Sequence, residues 1–499
     1  MQGIKQRSAK LFYQFSLEEA VPADHIYRRI EQSLDLSFLY PCTRRLYGKD
    51  GQQSIDPVVF FKMCLIGYLN DITADRALCR YIQDSLAARW FICHDIDEPI
   101  PVHSTLSRTR ALFGRPLYEE VFRRVLALCV DAGLVSGTRQ AVDSGLVKAN
   151  ASIDSMRRRV IMEDASAWCR QVSSENAAEQ ADSGGGPTPV ELPARAPRKR
   201  SRSNKTHQSV TDPDARLARK PGKPTDMYYH GQISVDAQHG VIVAAMADYA
   251  DTEDHQSLPA LLDQVQAHLS AHHLRVEELL ADSKYNTLHT IEACEQAGIT
   301  AYMPNPSGYK RFREGFTFCE ETNSYRCSQG VILAYKGQQK CRDYYNNVYA
   351  SSAVDCAQCS IRSECITGKA PRKTLTHSSG KALYDRMDGR LQADKGRRML
   401  AKRKGIVEPV IGNLMHHNAM KKVCARGLPA AGKHVLMASI SFNLKKWLRY
   451  GTIKPLRKVV SMGKDFLCSI FEDICLTAAQ MFPAQSILTR IPAINTQRY

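Results

Sequence analysis

Two aspartates lie on short apolar segments that predict buried strands. Asp143 lies inside the β-branched segment 140–147, and Asp282 lies at the C-terminal end of the segment 276–282. A carboxylate in either place costs free energy unless a partner or a cation compensates its charge. Because ligands collect in crevices at the strand ends of open α/β sheets, acids from adjacent strands could share Mg²⁺ ions, which prefer oxygen ligands. Taken alone, each aspartate is more often a helix cap or a surface residue.

A third candidate ligand is Glu408, the single acid of an apolar stretch that basic residues crowd. Three neighbours that are unusual in a plain amphipathic helix are Gly405, Pro409 and Gly412. The residues alone slightly favour a surface glutamate that pairs with neighbouring lysines and arginines. Asp254 and His255, at a polar transition from loop to helix, receive no role.

Four cysteines lie in a polar, tyrosine-rich stretch between Asp282 and Glu408. They are Cys327, Cys356, Cys359 and Cys365. A Cys-x-x-Cys pair with a third cysteine close by can wrap one tetrahedral Zn²⁺ together with a distant fourth thiolate. Such a site would be structural, with no open position, and separate from any magnesium site. Cys319 or Cys341 could replace Cys327, and a set of free thiols is the alternative.

The elements that must position these residues change along the chain. From about 24 to 135, apolar residues recur at helical spacing, and Thr73 and Ser104 are candidate N-caps of short helices. Strand signals follow at 140–147, then a hairpin of 228–235 and 241–245, a helix at about 255–272, and strands at 276–282 and near 300–303. This order predicts a mixed α/β sheet, with a hairpin first and a βαβ crossover after it.

A linker interrupts this pattern at about 164–206, where Ser, Gly, Pro and charged residues dominate. Its apolar surface is too small to offset the entropy lost on ordering, so we expect a flexible segment. The basic run 198–202 predicts an arm that binds DNA, and a merely solvated linker is the alternative.

The whole chain of 499 residues is long enough for two or three domains and carries a formal net charge of +17. This excess favours a polyanionic partner, because neutralising phosphates releases condensed counterions, although a solvated basic surface is the alternative. Sixteen cysteines do not indicate a disulfide framework in a cytosolic chain. The polar N-terminus and the lack of a long apolar run predict a cytoplasmic protein without a membrane segment.

Several segments, in the right order, resemble bacterial insertion-sequence transposases, specifically the insertion sequence 1182 group. They lie at 141–151, 211–224, 280–285 and 405–410, with 81–91 and 101–108 resembling the N-terminal domain of that group. The resemblance runs from about residue 25 to 450. Two features depart from it. The group usually has a basic residue where this chain has Met415, which could weaken a DNA contact, and more often a glycine where it has Ser283 and Lys284.

The resemblance implies a ribonuclease H-like catalytic domain in which Asp143, Asp282 and Glu408 form a metal-binding triad. Two Mg²⁺ (or Mn²⁺) ions can activate a water or 3′-hydroxyl nucleophile and stabilise the leaving oxygen. Asp143 would bridge both ions, and each of the other acids would hold one. The freed 3′ end would then attack target DNA at the same site. The group also carries the cysteine pattern as an insertion ahead of the glutamate helix.

Basic residues near Glu408 are expected to hold backbone phosphates, which positions DNA without reading its sequence. They are Arg397, Arg398, Lys402, Arg403 and Lys404. A solvated helix face is the alternative. The helical N-terminal block would recognise the terminal inverted repeats of the element through a helix-turn-helix, or would pack in a dimer. The resemblance implies at least a dimer on DNA, associated with the nucleoid.

The predicted divisions are 1–135 (helical domain for DNA binding or assembly), 136–163 (start of the catalytic domain), 164–206 (flexible basic linker), 207–310 (catalytic domain continued), 311–380 (Cys-rich insertion), 381–450 (C-terminal helices of the catalytic domain) and 451–499 (basic tail). Two other functions stay open. One is a nuclease of the same fold that lacks the joining step, and the other is a transposase-derived DNA-binding protein without catalysis.

Overall fold

The structure is a computed structural model that describes residues 14–48, 54–159, 202–305 except 221 and 223, and 311–451 except 342, 343 and 367. The predicted linker lies outside these residues up to residue 201, and the predicted tail lies outside them from residue 452. Within the described part of the chain, no helix is both long and apolar enough to cross a membrane.

The described residues as far as Asp131 form helices joined by turns, as the apolar periodicity predicts. The helices are α1 (Leu17–Ala20), α2 (Ile26–Ser33), α3 (Leu39–Thr43), α4 (Pro57–Leu69), α5 (Asp75–Asp84), α6 (Leu86–Phe91), α7 (His103–Leu112) and α8 (Arg115–Asp131). Asp56 caps α4 by accepting hydrogen bonds from the backbone N–H groups of Val58 and Val59. Most residues of α4 are buried, so this helix forms the centre of the block.

The two predicted N-caps are wrong. Helix α5 begins one residue later than expected, after Ala74, and α7 begins two residues earlier, after Val102, so Ser104 lies within its first turn. Neither start has a side-chain cap hydrogen bond. Tertiary contact replaces the cap at α5, where the first residue, Asp75, accepts two hydrogen bonds from Arg110 of α7 at 2.7 and 2.8 Å.

A six-stranded mixed sheet follows the helical block. Its strands are β1 (Arg139–Lys148), β4 (Arg216–Ala218), β5 (Asp226–Asp236), β6 (Ile242–Tyr249), β7 (Glu278–Leu280) and β8 (Thr300–Tyr302). A separate two-stranded pair consists of β2 (Met156–Arg158) and β3 (His207–Ser209). Helix α9 (Asp254–Ser270) connects β6 to β7, and helix α10 (Leu288–Gln296) connects β7 to β8.

The strand order across the large sheet is β6-β5-β1-β7-β8, and β4 pairs with the beginning of β5 beside β6. Strand β5 is antiparallel to both β1 and β6, whereas β7 is parallel to β1 and β8 is parallel to β7. The predicted hairpin and the predicted crossover are therefore both confirmed. This order, with an antiparallel second strand, fits a ribonuclease H-like fold.

A second, antiparallel sheet has the strand order β13-β12-β11-β10-β9. Its strands are β9 (Phe316–Cys319), β10 (Ser324–Cys327), β11 (Ile332–Cys341), β12 (Tyr344–Ala350) and β13 (Thr374–Ser378), with short helices α11 (Ala353–Ala357) and α12 (Arg362–Cys365) between the last two strands. Its separate hydrophobic core has four buried side chains, Tyr325, Leu333, Tyr349 and Leu375.

Three helices complete the described chain: α13 (Lys381–Gln392), α14 (Asp394–His417) and α15 (Leu428–Tyr450). Helix α14 packs against β1, and α15 packs against β6, α4 and α8. The Asn443 side chain of α15 accepts a hydrogen bond from the Ile242 N–H at 2.9 Å and donates one to its carbonyl at 2.8 Å. Helix α15 therefore joins the helical block to the large sheet.

Candidate active site

The register of two parallel strands brings Asp143 and Asp282 to the same edge of the large sheet. Ala141 of β1 lies opposite Leu280 of β7, and each aspartate follows two residues after this pair. Both carboxylates are also held by nearby backbone. The N–H of Ser144 donates to Asp143 Oδ1 at 2.8 Å, and the N–H of Lys284 donates to Asp282 Oδ1 at 2.9 Å.

Glu408 reaches this edge on α14, far along the chain from the two strands. One guanidinium group contacts acids from both elements: Arg403 Nη2 lies 2.8 Å from Asp143 Oδ2, and Arg403 Nη1 lies 3.9 Å from Glu408 Oε1. The Glu408 side chain is 56% exposed, whereas that of Asp143 is 18% exposed. Asp143 and Asp282 therefore lie on adjacent strands, and Arg403 lies between Asp143 and Glu408.

The environment of Arg403 differs from that of the other four basic residues proposed to bind phosphates. Arg403 is 8% exposed and faces Asp143, while Arg397, Arg398, Lys402 and Lys404 are exposed. An arginine in this position is the counter-ion of a buried carboxylate. The sequence could not indicate this, because the partner of Arg403 lies 260 residues away along the chain.

Burial sets the protonation chemistry of Asp143. Desolvation raises the pKa of this carboxyl above its usual range, and the charge of Asp282 raises it further, against the opposing effects of Arg403, the Ser144 N–H and Lys220. Additional positive charge nearby stabilises the ionised form of a buried carboxylate whose pKa is raised. The site is therefore short of cationic charge in the absence of a metal.

Among the described residues, no three histidine, cysteine or acidic side chains stand close enough together to hold one metal ion. At the triad, Arg403 lies between two of the carboxylates.

Met415 lies in the core rather than on the surface. It is 9% exposed, and its Cε would lie only 2.8 Å from a Cβ added at Gly145, two residues beyond Asp143. Its methyl group therefore packs directly on β1. The structure gives this residue a packing role that the sequence analysis did not predict.

A second polar group beside the aspartates was missed by the sequence analysis. Asp254, the first residue of α9, is 5% exposed and lies beside two residues of β5. Its Oδ1 is 3.2 Å from Gln232 Nε2 and 3.5 Å from His230 Nε2. A signal was present in β5, where polar residues at 230, 232 and 234 interrupt a buried strand with the two-residue period of one face.

The four predicted zinc ligands lie around one cavity at the edge of the small sheet. Cys327, Cys356, Cys359 and Cys365 all line it. Cys319 and Cys341 are not among its lining residues, although either was an alternative to Cys327. One thiol already has a partner, since Cys356 Sγ lies 3.0 Å from Ser351 Oγ.

Two family models match this chain. Residues 15–112 match a model described as Transposase domain (DUF772), which covers much of the helical block. Residues 326–448 match a model described as Transposase DDE domain, which covers Glu408 and the four cysteines. Asp143 and Asp282 lie outside both matches.

Two solved structures show distant similarity. A piggyBac transposase in a synaptic complex with hairpin DNA is 10% identical with a TM-score of 0.34, over 84% of this chain and 72% of that one. A Mos1 transposase in a paired-end complex with the left transposon end is 9% identical with a TM-score of 0.15, over 53% and 64% of the two chains. No curated protein matches the sequence. The two matches, one in the helical block and one in the segment that carries Glu408, support a transposase function for this chain, with a DDE domain in its second half.

Proposed function

We propose that the chain catalyses metal-dependent DNA strand cleavage and strand transfer, with Asp143, Asp282 and Glu408 as its metal-binding carboxylates. The observation that supports this proposal is that β1 and β7 carry Asp143 and Asp282 on adjacent strands, while Arg403 of α14 contacts both Asp143 and Glu408. A bound metal would have to draw the three carboxylates closer together than they are in its absence.

The donor set fits Mg²⁺ or Mn²⁺, because all three side chains offer carboxylate oxygens. The buried Asp143, whose burial raises its pKa, supports the same assignment, since a divalent cation would compensate its charge. Two bound ions would activate the nucleophile and neutralise charge on the leaving oxygen in an in-line displacement.

The residues of the chain hold the site and the DNA in place. The Ser144 and Lys284 N–H groups orient the two aspartates, and Arg403 neutralises Asp143 until a metal is bound. The exposed basic residues Arg397, Arg398, Lys402 and Lys404 on α14 are placed to contact backbone phosphates beside Glu408. Their contacts would set the position of DNA and not its sequence preference.

DNA partners follow from this function. We propose that the helical block binds the terminal inverted repeats of the element. Target DNA would meet the freed 3′ end at the same three carboxylates. The protein would act as a homo-oligomer on DNA. The formal net charge of +17 supports a polyanionic partner.

The test is cleavage and joining of labelled element ends by the purified protein with Mg²⁺ or Mn²⁺. Asp143→Asn and Glu408→Gln each remove a charged ligand with little change in shape, and we expect both reactions to fall by at least about 100-fold, or about 2.7 kcal/mol in the activation barrier. Asp394→Asn, on an exposed residue of the same helix as Glu408, is the matched control and keeps activity. Strand transfer that survives in the Glu408 variant would refute the triad.

A pre-cleaved end with a free 3′-hydroxyl separates the alternatives. A transposase joins this end to target DNA, a nuclease of the same fold cleaves but does not join, and a DNA-binding descendant binds the end without turnover in metal.

We also propose a structural Zn²⁺ at the cavity that the four cysteines line. All four cysteines line this cavity, which supports the proposal because tetrahedral zinc can take four thiolates. The thiols do not stand close enough to hold an ion as they are, so zinc binding would have to draw them together. We expect about one zinc per chain by elemental analysis, lost in Cys356→Ser and Cys359→Ser and retained in Cys424→Ser, which alters an exposed cysteine elsewhere. Zinc-free protein that is as stable as the zinc-loaded protein would refute the site.

A further inference from the structure

Asp254 is a buried acid beside the segments that carry Asp143 and Asp282. The proposed mechanism does not use this acid. Its side chain is 4% exposed, and three side chains surround it at measured distances: Gln232 Nε2 at 3.2 Å, His230 Nε2 at 3.5 Å and Lys284 Nζ at 3.4 Å.

Two of these partners lie beside the segments that carry the aspartates, because Gln232 of β5 pairs with Ser144 of β1 and Lys284 follows the end of β7. Ser144 directly follows Asp143, and Lys284 is two residues beyond Asp282. A third connection runs through Gln232, which accepts a hydrogen bond from the Tyr285 hydroxyl at 2.8 Å while its amide donates to Asp254. One carboxylate is therefore linked to the strand of Asp143 through Gln232, and to the segment beyond Asp282 through Lys284 and, by way of Gln232, through Tyr285.

The central charge of this network is buried. Burial alone would raise the pKa of Asp254, yet the charge of His230 and the contacts of Ser144, Lys284 and Gln232 lower it, so the carboxylate is ionised at neutral pH. A buried ion keeps its charge only while these bonds are made, and removing them leaves a costly unpaired group. Gln232 and Tyr285 are both buried as well, so neither has water as an alternative partner.

We propose that Asp254 is a positioning residue that fixes the separation of Asp143 and Asp282, so that both carboxylates can reach the same metal ions. It acts through Gln232, which pairs with Ser144 beside Asp143, and through Lys284 and Tyr285 beyond Asp282, without contacting the metal. This proposal rests on the proposed function of the triad. The partners of metal ligands commonly control metal affinity because they orient the ligands.

Asp254→Asn tests the proposal, since asparagine keeps the size of the side chain but presents an amide N–H₂ where the network needs an acceptor. Metal binding is measured by calorimetry on DNA-free protein, and the Mg²⁺ concentration for half-maximal cleavage is measured on labelled ends. We expect the metal affinity to fall and the half-maximal Mg²⁺ concentration to rise, each by about 10- to 100-fold, the usual effect of losing a partner that orients a metal ligand. Binding of the element end without metal stays unchanged.

Two further variants keep the test decisive. Tyr285→Phe removes only the hydroxyl that joins the Asp282 side to Gln232, and we expect a smaller loss of metal affinity in the same direction, which is not additive with Asp254→Asn. Asp263→Asn changes an exposed acid of the same helix and leaves metal affinity unchanged. If Asp254→Asn does not fold, Tyr285→Phe decides the question alone.

Unchanged metal affinity in both network variants would overturn the proposal. This failure is distinct from failure of the triad, which is tested by cleavage and joining in the wild-type protein and in the Asp143 and Glu408 variants. The calorimetry compares metal binding in wild-type and variant protein and needs no reaction.

Discussion

Asp143 is the residue on which the proposed chemistry depends most. Its backbone is fixed in β1, its carboxylate is mostly buried, and the guanidinium of Arg403 contacts it at 2.8 Å. Burial raises the pKa of this carboxyl, so the ionised form lowers the stability of the metal-free fold. Such a conflict is common at functional sites, where stability is lost so that a ligand can be bound.

A stability measurement over pH tests this conflict. The pKa of Asp143 is raised on folding, so its destabilising effect is absent below the ordinary pKa of an aspartate and is complete above the raised value. We therefore expect Asp143→Asn to increase the free energy of unfolding of metal-free protein at pH 7, with the gain disappearing as the pH falls towards 4. Urea unfolding at several pH values measures it. A destabilising effect at pH 7 would contradict the pKa direction.

Arg403 gives a second prediction at the residue scale. Arg403→Gln leaves Asp143 as a buried charge without its cation, so we expect a loss of about 3 kcal/mol of stability in metal-free protein. Added Mg²⁺ would restore more stability than it adds to the wild type, because it becomes the main cation at Asp143. Thermal unfolding with EDTA and with Mg²⁺ measures both effects. Lys402→Gln, on the exposed neighbour, is the control, and an equal Mg²⁺ response in the two variants would contradict the role of Arg403.

At the scale of elements, the position of Glu408 depends on how α14 packs against β1. Met415 and Ile411 of this helix approach Gly145, where a Cβ added to the strand would meet the Met415 methyl at 2.8 Å. A glycine here lets the helix approach the strand that carries Asp143. The packing therefore controls the distance between the two elements that supply the acids.

Met415→Ala tests that packing. We expect a loss of about 2–3 kcal/mol of stability from the lost contact and the cavity, and a lower cleavage rate because Glu408 is held less firmly. Chemical unfolding and cleavage of labelled ends measure the two effects, and His416→Ala, on an exposed neighbour, leaves both unchanged. A stable Met415 variant would contradict the core position of this side chain.

The sequence predicts these elements well but not their contacts. Strands β1, β5 and β6 follow from β-branched runs and a turn, because those signals are local. The pairing of Arg403 with Asp143, and of Asp254 with groups beside both aspartates, joins residues far apart in the chain. Contacts between distant residues also explain why the predicted N-cap of α5 is wrong, since Asp75 at its start is held by Arg110 of α7 and not by a local side chain.

At the scale of the whole molecule, the helical block and the large sheet share one continuous hydrophobic core. Tyr68 of α4 and His434 of α15 form a hydrogen bond of 2.6 Å, and Lys433 donates to the carbonyls of Arg110 and Phe113. The buried helix α4 therefore depends on a helix that is more than 350 residues further along the chain.

This dependence predicts that a fragment ending at residue 135 does not fold alone, because α4 would expose apolar residues that α15 covers. Circular dichroism and thermal unfolding of the isolated fragment measure it. A cooperative unfolding transition in that fragment would contradict the shared core, whereas full-length protein serves as the folded control.

The most direct test of the central claim is a crystal structure of the protein with Mn²⁺ and an element end, with the metal located by its anomalous signal. We predict two peaks about 4 Å apart, bridged by Asp143, with Asp282 and Glu408 each binding one ion and Arg403 displaced from Asp143. Manganese bound elsewhere, or Glu408 left outside the coordination of an ion held by the two aspartates, would contradict the three-carboxylate site.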